Sequence, residues 1–135
     1  MNAAELLRDR GLRVTRPRVA VLEILHESHG HLDVDDITAR VRGRLDSVSV
    51  QAVYDVLAAL NRAGLARRIA PAGAAARFEA RVGDNHHHLV CRTCNAIVDV
   101  DCATGAAPCL DPIDAAGFVV DEAEVTYWGL CATCR

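Results

Sequence analysis

His86-His87-His88-Leu89-Val90-Cys91-Arg92-Thr93-Cys94, answered near the end of the chain by Cys131-Ala132-Thr133-Cys134, is the stretch around which the rest of the sequence is arranged. Each C-x-x-C pair has the two-residue spacer of a tight knuckle, which lets neighbouring sulfurs approach one ion at about 2.3 Å. Four thiolates in two such pairs suit a tetrahedral Zn²⁺. The 36 residues between the pairs are enough for a small folded unit. Two disulfides are the competing reading, but disulfide scaffolds belong to oxidising compartments. Here no charged leader precedes an apolar segment, and no apolar run approaches the roughly 18 residues of a membrane span. A cytoplasmic location is therefore expected, where thiols stay reduced and cysteines serve metal binding or redox sensing.

Working outward, charge divides the chain unevenly. All 15 basic residues are Arg. Residues 1–82 carry 13 of them against 10 acids, a balance of +3, whereas residues 83–135 carry 2 against 8, a balance of −6. A basic part joined to an acidic, Cys/His-rich part suggests a nucleic-acid reader coupled to a metal-binding module. Solvated helix faces give the same +3, so charge alone does not decide it.

The N-terminal part is patterned as helices. Residues 3–10 read as a short helix ended by Gly11, which brings Arg8, Arg10 and Arg13 near one another. Thr15 is placed to cap a second helix, with Pro17 in its first turn and Val19, Leu22 and Leu25 at helical spacing, running to about Glu27. Asp33 can cap a third helix carrying Ile37 and Val41, with Asp35 and Asp36 at its positive end. Ser49 can cap a fourth over residues 50–63, closed by Gly64. There Val50, Val53, Leu57 and Leu60 share one face and leave Gln51 and Asp55 on the other, with Tyr54 at its flank. Two helices joined by about six residues can form a helix-turn-helix, the second presenting its N-terminal side chains to a major groove. Arg-rich strands at residues 65–70 and 75–80 follow, separated by a Pro- and Gly-bearing turn. Three helices and such a hairpin make a winged helix, with Arg67, Arg68 and Arg77 placed to meet phosphates.

Residues 81–85 read as a hinge. The expected organisation is therefore α+β: a winged helix-turn-helix DNA-binding domain over residues 1–80, then a small α/β metal-binding domain over residues 86–135. Strand periodicity over residues 86–90 sends His86 and His88 to one side and His87 to the other. A second strand, residues 97–101, could place Asp99 or Asp101 near the two imidazoles. Such a mixed nitrogen and oxygen set suits Fe²⁺ or Mn²⁺, with Zn²⁺ able to compete. Residues 106–116 are helix-compatible despite Pro108 and Pro112, and residues 118–130 read as further strand.

The pattern H-H-H-L-V-C-R-T-C, then V-D-V-D and Y-W-G-L-C-A-T-C, with Val53-Tyr54-Asp55-Val56-Leu57 upstream, resembles the ferric uptake regulator family. The resemblance runs from Leu12 to Cys134 and looks closest to the actinobacterial branch that represses catalase-peroxidase genes. It implies a homodimer whose C-terminal α/β domain dimerises, bound to palindromic double-stranded DNA and not to a membrane. By position, Cys91, Cys94, Cys131 and Cys134 match the structural zinc ligands. His31, Glu79, His86, His88 and Asp99 match the regulatory Fe²⁺ or Mn²⁺ site, whose occupancy would set the angle between domains. Ser49 starts the reading helix, Gln51 and Tyr54 would approach bases, and Arg16, Arg18 and the wing arginines would hold phosphates.

Two positions bear on the stimulus. Asp99 matches the peroxide-responsive members, which makes His31 and His86 the expected targets of oxidation. Glu79 matches the iron-uptake branch, so an iron-responsive repressor of uptake genes is the alternative. Asn85, His87 and Ala123 stand where a further metal site usually has a fuller set, so two metals per chain are expected. Cys102 and Cys109 read as buried thiols or as a redox pair. No nucleophile or cofactor fingerprint points to an enzyme, and a metalloprotein without DNA would leave the winged-helix half unexplained.

Overall fold

The computed structural model describes residues 1–28, 31–80, 86–101, 115–120 and 125–135. They fall into two compact units, Met1–Gly83 and Asp84–Arg135.

The first unit contains α1 (Ala3–Asp9), α2 (Arg16–Glu27), β1 (Leu32–Asp33), α3 (Val34–Arg42), α4 (Val50–Arg62), β2 (Arg67–Ile69) and β3 (Arg77–Glu79). Helix starts follow from short polar side chains that take an otherwise unpaired backbone N–H. Thr15 accepts from Arg18, Asp33 from Asp36 and Ser49 from Ala52. Gly11 and Gly64, at φ of +71° and +72°, turn the chain out of α1 and α4. After Gly64 the Leu65 N–H returns to the Leu60 carbonyl at 2.9 Å, closing the helix end.

Leu7, Val21, Leu22, Ile24, Ile37, Val41, Val53, Leu57 and Leu60 are almost fully withdrawn from solvent and form one core. Burial of each large side chain stabilises the unit by roughly 1.5–3 kcal/mol. On α4 the buried stripe is Val53, Val56, Leu57 and Leu60, and the exposed one is Gln51, Tyr54, Asp55 and Ala58. Val50, expected on the buried face, is 40% exposed because the first helical residue overhangs the edge of the core. Strands β2 and β3 form the hairpin, and β1 adds a third strand that periodicity had not indicated, giving the antiparallel order β1-β3-β2. This is a winged helix.

The second unit contains β4 (His86–Cys91), β5 (Ile97–Asp101) and β6 (Thr126–Gly129), ordered β5-β4-β6. Strand β4 pairs antiparallel with β5 and parallel with β6. The strand expected over residues 118–130 is confined to β6. Residues 116 and 117, at φ of 50° and 81°, make a turn instead, and residues 118–120 are extended without strand pairing. The hinge at residues 81–85, most of the helix-compatible stretch, His29, Cys102, Cys109 and Ala123 lie outside the described residues. Among the described residues no helix is long and apolar enough to cross a membrane.

Candidate metal centres and nucleic-acid interface

The sulfurs of Cys91, Cys94, Cys131 and Cys134 gather within 4.8 Å of one another. Local backbone explains the first knuckle: Asn95, at φ 61°, turns the chain so that its N–H meets the Cys91 carbonyl at 3.0 Å. The second repeats the scheme, with the N–H groups of Cys134 and Arg135 both on the Cys131 carbonyl at 3.0 Å. Pairing of β4 with β6 joins the two, since Arg92 N–H donates to the Gly129 carbonyl at 2.8 Å. The Arg92 guanidinium lies over the Trp128 ring at 5.3 Å.

The arrangement fits a tetrahedral ion. Sulfurs about 2.3 Å from a common centre stand about 3.8 Å apart, and Cys94 Sγ and Cys131 Sγ are separated by 3.8 Å. The Cys131 N–H also donates to Cys91 Sγ at 3.4 Å, the kind of bond that supports a thiolate. Backbone N–H groups of Cys94 and Cys131 hold the Cys91 thiol down to about 6. Backbone bonding at Cys134 lowers Cys131. Cys134 is pushed up to about 12 by hydrogen bonds with the Cys131 and Cys94 side chains, as the last of four crowded thiols to ionise. A cation at their centre would reverse that order of cost, because every ligand must be deprotonated.

Two His–carboxylate pairs lie apart from the thiols, one in each unit. In the first unit, the register Leu32↔Phe78 places the residue before β1 beside the last residue of β3. His31 Nε2 and Glu79 Oε2 are accordingly 2.7 Å apart, both buried. In the second unit, the register His88↔Asp99 brings those two face to face, with Nε2 and Oδ1 at 3.3 Å. His86 stands opposite Asp101 in the same ladder. Neighbouring His87 has a structural task, its Nδ1 accepting the Val125 N–H at 3.0 Å.

The residues expected at DNA are dispersed over the first unit. Gln51 and Tyr54 occupy the exposed stripe of α4, Tyr54 being 50% exposed. Ser49 is committed to capping that helix at 3.0 Å. Arg16 is exposed at the start of α2, and Arg18 donates to the Arg13 carbonyl at 2.8 Å, which fixes the chain entering α2. Arg68 joins Tyr54 at a cavity of about 380 Å³ between α3, α4 and the hairpin. Arg67 pairs across from Glu79 at the base of the hairpin, while Arg77 lies across from Ile69 nearer its tip. Sequence reasoning overlooked Arg10, whose Nη1 donates to the Ala63 carbonyl at 2.7 Å and thereby satisfies the C-terminal end of α4. Its only sequence signal was a basic residue at the end of a short helix.

The model of the ferric uptake regulator family matches residues 9–127. The transcriptional regulator FurA of Mycobacterium tuberculosis is 62% identical over 131 residues, 97% of this chain and 88% of its own. The peroxide operon regulator of Bacillus subtilis is 32% identical over 138 residues, 98% of this chain and 91% of its own. Among solved structures, the ferric uptake regulator of Pseudomonas aeruginosa with manganese superposes with a TM-score of 0.74 at 25% identity, over 98% of this chain and 99% of that one.

Proposed function

The chain belongs to the ferric uptake regulator family, whose model covers residues 9–127, and on that premise we propose that this metal-responsive transcriptional regulator is a peroxide-sensing repressor of oxidative-stress genes of the catalase-peroxidase kind. It acts as a homodimer on a palindromic operator, with α4 as the reading helix. Cys91, Cys94, Cys131 and Cys134 hold a structural Zn²⁺. His31, Glu79, His86, His88 and Asp99 hold one regulatory Fe²⁺ or Mn²⁺ ion.

The observation that carries the peroxide reading is the acid beside His88. Asp99 sits at the directly opposite ladder position, 3.3 Å away, and the family resemblance associates an Asp there with peroxide response. The His31–Glu79 pair supplies two donors from the first unit, fewer than a hard divalent cation takes, and the second unit supplies the complementary set. Drawing ligands from both units couples occupancy to the spacing of two reading helices, so ligand loss shifts the population away from the DNA-binding form. Ferrous iron, when bound, supplies the electrons that reduce peroxide. The imidazoles of His31 and His86 are then the groups that take up oxygen. Glu79 favours the second reading, a repressor that answers to iron and survives mild peroxide.

Gel retardation of the iron-loaded protein before and after peroxide tests this, paired with peptide mass spectrometry. Loss of DNA binding together with a gain of one oxygen on the His31 or His86 peptide is expected. Unchanged binding with unmodified histidines removes peroxide sensing and leaves iron response.

A further inference from the structure

One contact on the exposed stripe of α4 has no place in the metal switch. Gln51, in the first turn, donates from Nε2 to Asp55 Oδ1 at 2.9 Å. Both side chains are exposed, so neither needs the bond to satisfy burial. Before Arg62 at its end, α4 carries no basic residue, and the one charge on its reading stripe is this carboxylate. A negative charge there opposes the phosphates that supply most affinity for duplex DNA.

We propose that Asp55 is a specificity-determining residue that orients Gln51 to read adenine. This rests on the reading of α4 as the DNA-facing helix. An ionised carboxylate only accepts hydrogen bonds, so the Gln51 amide nitrogen must face Asp55 and its carbonyl oxygen must face away. With one Nε2 proton committed, the amide keeps one donor and one acceptor side by side. That pair complements the N7 acceptor and N6 donor that adenine shows in the major groove. Guanine offers two acceptors, N7 and O6. The held amide can serve only one of them, and its oxygen would confront the other. Asp55 thus orients the reading group and repels the competing base, at the expense of attraction to the backbone.

The test is selection from a randomised DNA duplex library by the full-length protein loaded with zinc and manganese, comparing wild type with Gln51→Ala, Asp55→Ala and Asp55→Asn. Wild type is expected to enrich a site with an adenine position that Gln51→Ala no longer distinguishes. Asp55→Ala should relax the adenine preference at that position by about fivefold or more, with the other positions of the site unchanged. Asp55→Asn, which still accepts through Oδ1, should keep it. Full adenine preference in Asp55→Ala, or equal relaxation in both Asp55 variants, would overturn the proposal. So would an unchanged profile in Gln51→Ala. If wild type itself enriches no sequence, the reading of α4 beneath the proposal is what fails.

Discussion

The two units reach a defined structure by different means. The first closes an apolar core around Leu7, Leu22, Ile37, Leu57 and Leu60, each within 1% of full burial. The second, among its described residues, buries only Val90 and Cys91 as apolar groups, alongside His87 and His88. Leu89, Val98, Tyr127 and Trp128 on its strands stay between 37% and 56% exposed. A three-stranded sheet with so little apolar burial is marginal unless something else ties it. Here the tie is the four-cysteine cluster, which joins the turn after β4 to the turn after β6. One unit is held by many replaceable contacts, the other by four that have no substitute.

The sharpest way to break this contrast is to remove the metal. A structural zinc site is worth on the order of 10–16 kcal/mol of coupled folding free energy. Chelation, or Cys131→Ser, is expected to strip amide hydrogen-exchange protection from β4, β5 and β6 and to leave α2 and α4 protected. Simultaneous loss in both units would show that they do not differ as argued. The opposite probe is Leu60→Ala in the zinc-loaded protein. It should lower the unfolding free energy of the first unit by about 2–5 kcal/mol, read by chemical denaturation, with the β4 to β6 amides unchanged.

The same contrast explains what could be seen before coordinates. Thr15, Asp33 and Ser49 mark helix starts that the structure reproduces, because a cap acts within three residues and its signal is local. The C-x-x-C spacing was equally local, and the four sulfurs do converge. What escaped was everything carried by register. Strand β1 is two residues long, too short for periodicity, yet it alone brings His31 beside Glu79. The parallel pairing of β4 with β6 joins segments far apart in sequence with no local mark on either. Helical spacing told that Gln51 and Asp55 share a face, but not that they bond. Alternation also overextended the last strand, because the turn at residues 116 and 117 depends on backbone conformation at an alanine that composition does not flag.

A smaller effect separates caps from core. Ser49→Ala deletes the side-chain oxygen that accepts the Ala52 N–H at 3.0 Å, while the packing of α4 remains. A loss of about 1 kcal/mol is expected from thermal or denaturant unfolding. Ser49→Gly should cost only a few tenths of a kcal/mol, since glycine leaves that N–H open to water. If both variants lose as much as Leu60→Ala, the helix depends on its cap and not on its buried stripe.

The smallest expected effect concerns neither core nor ligand. Arg44, in the turn between α3 and α4, reaches Glu23 at 3.3 Å and also pairs with Glu27 one helical turn further along α2. All three side chains are at least 36% exposed, so water and salt screen the attraction and ordering long side chains offsets part of it. Arg44→Ala should therefore cost no more than about 1 kcal/mol at low ionic strength. The cost should shrink towards zero in 1 M salt, where the screening length is about 3 Å. Leu60→Ala should keep its full penalty across the same range. Equal salt sensitivity in the two variants would mean that Arg44 holds the helix-turn-helix by packing its alkyl stem, making it part of the core side of the comparison and not an accessory to it.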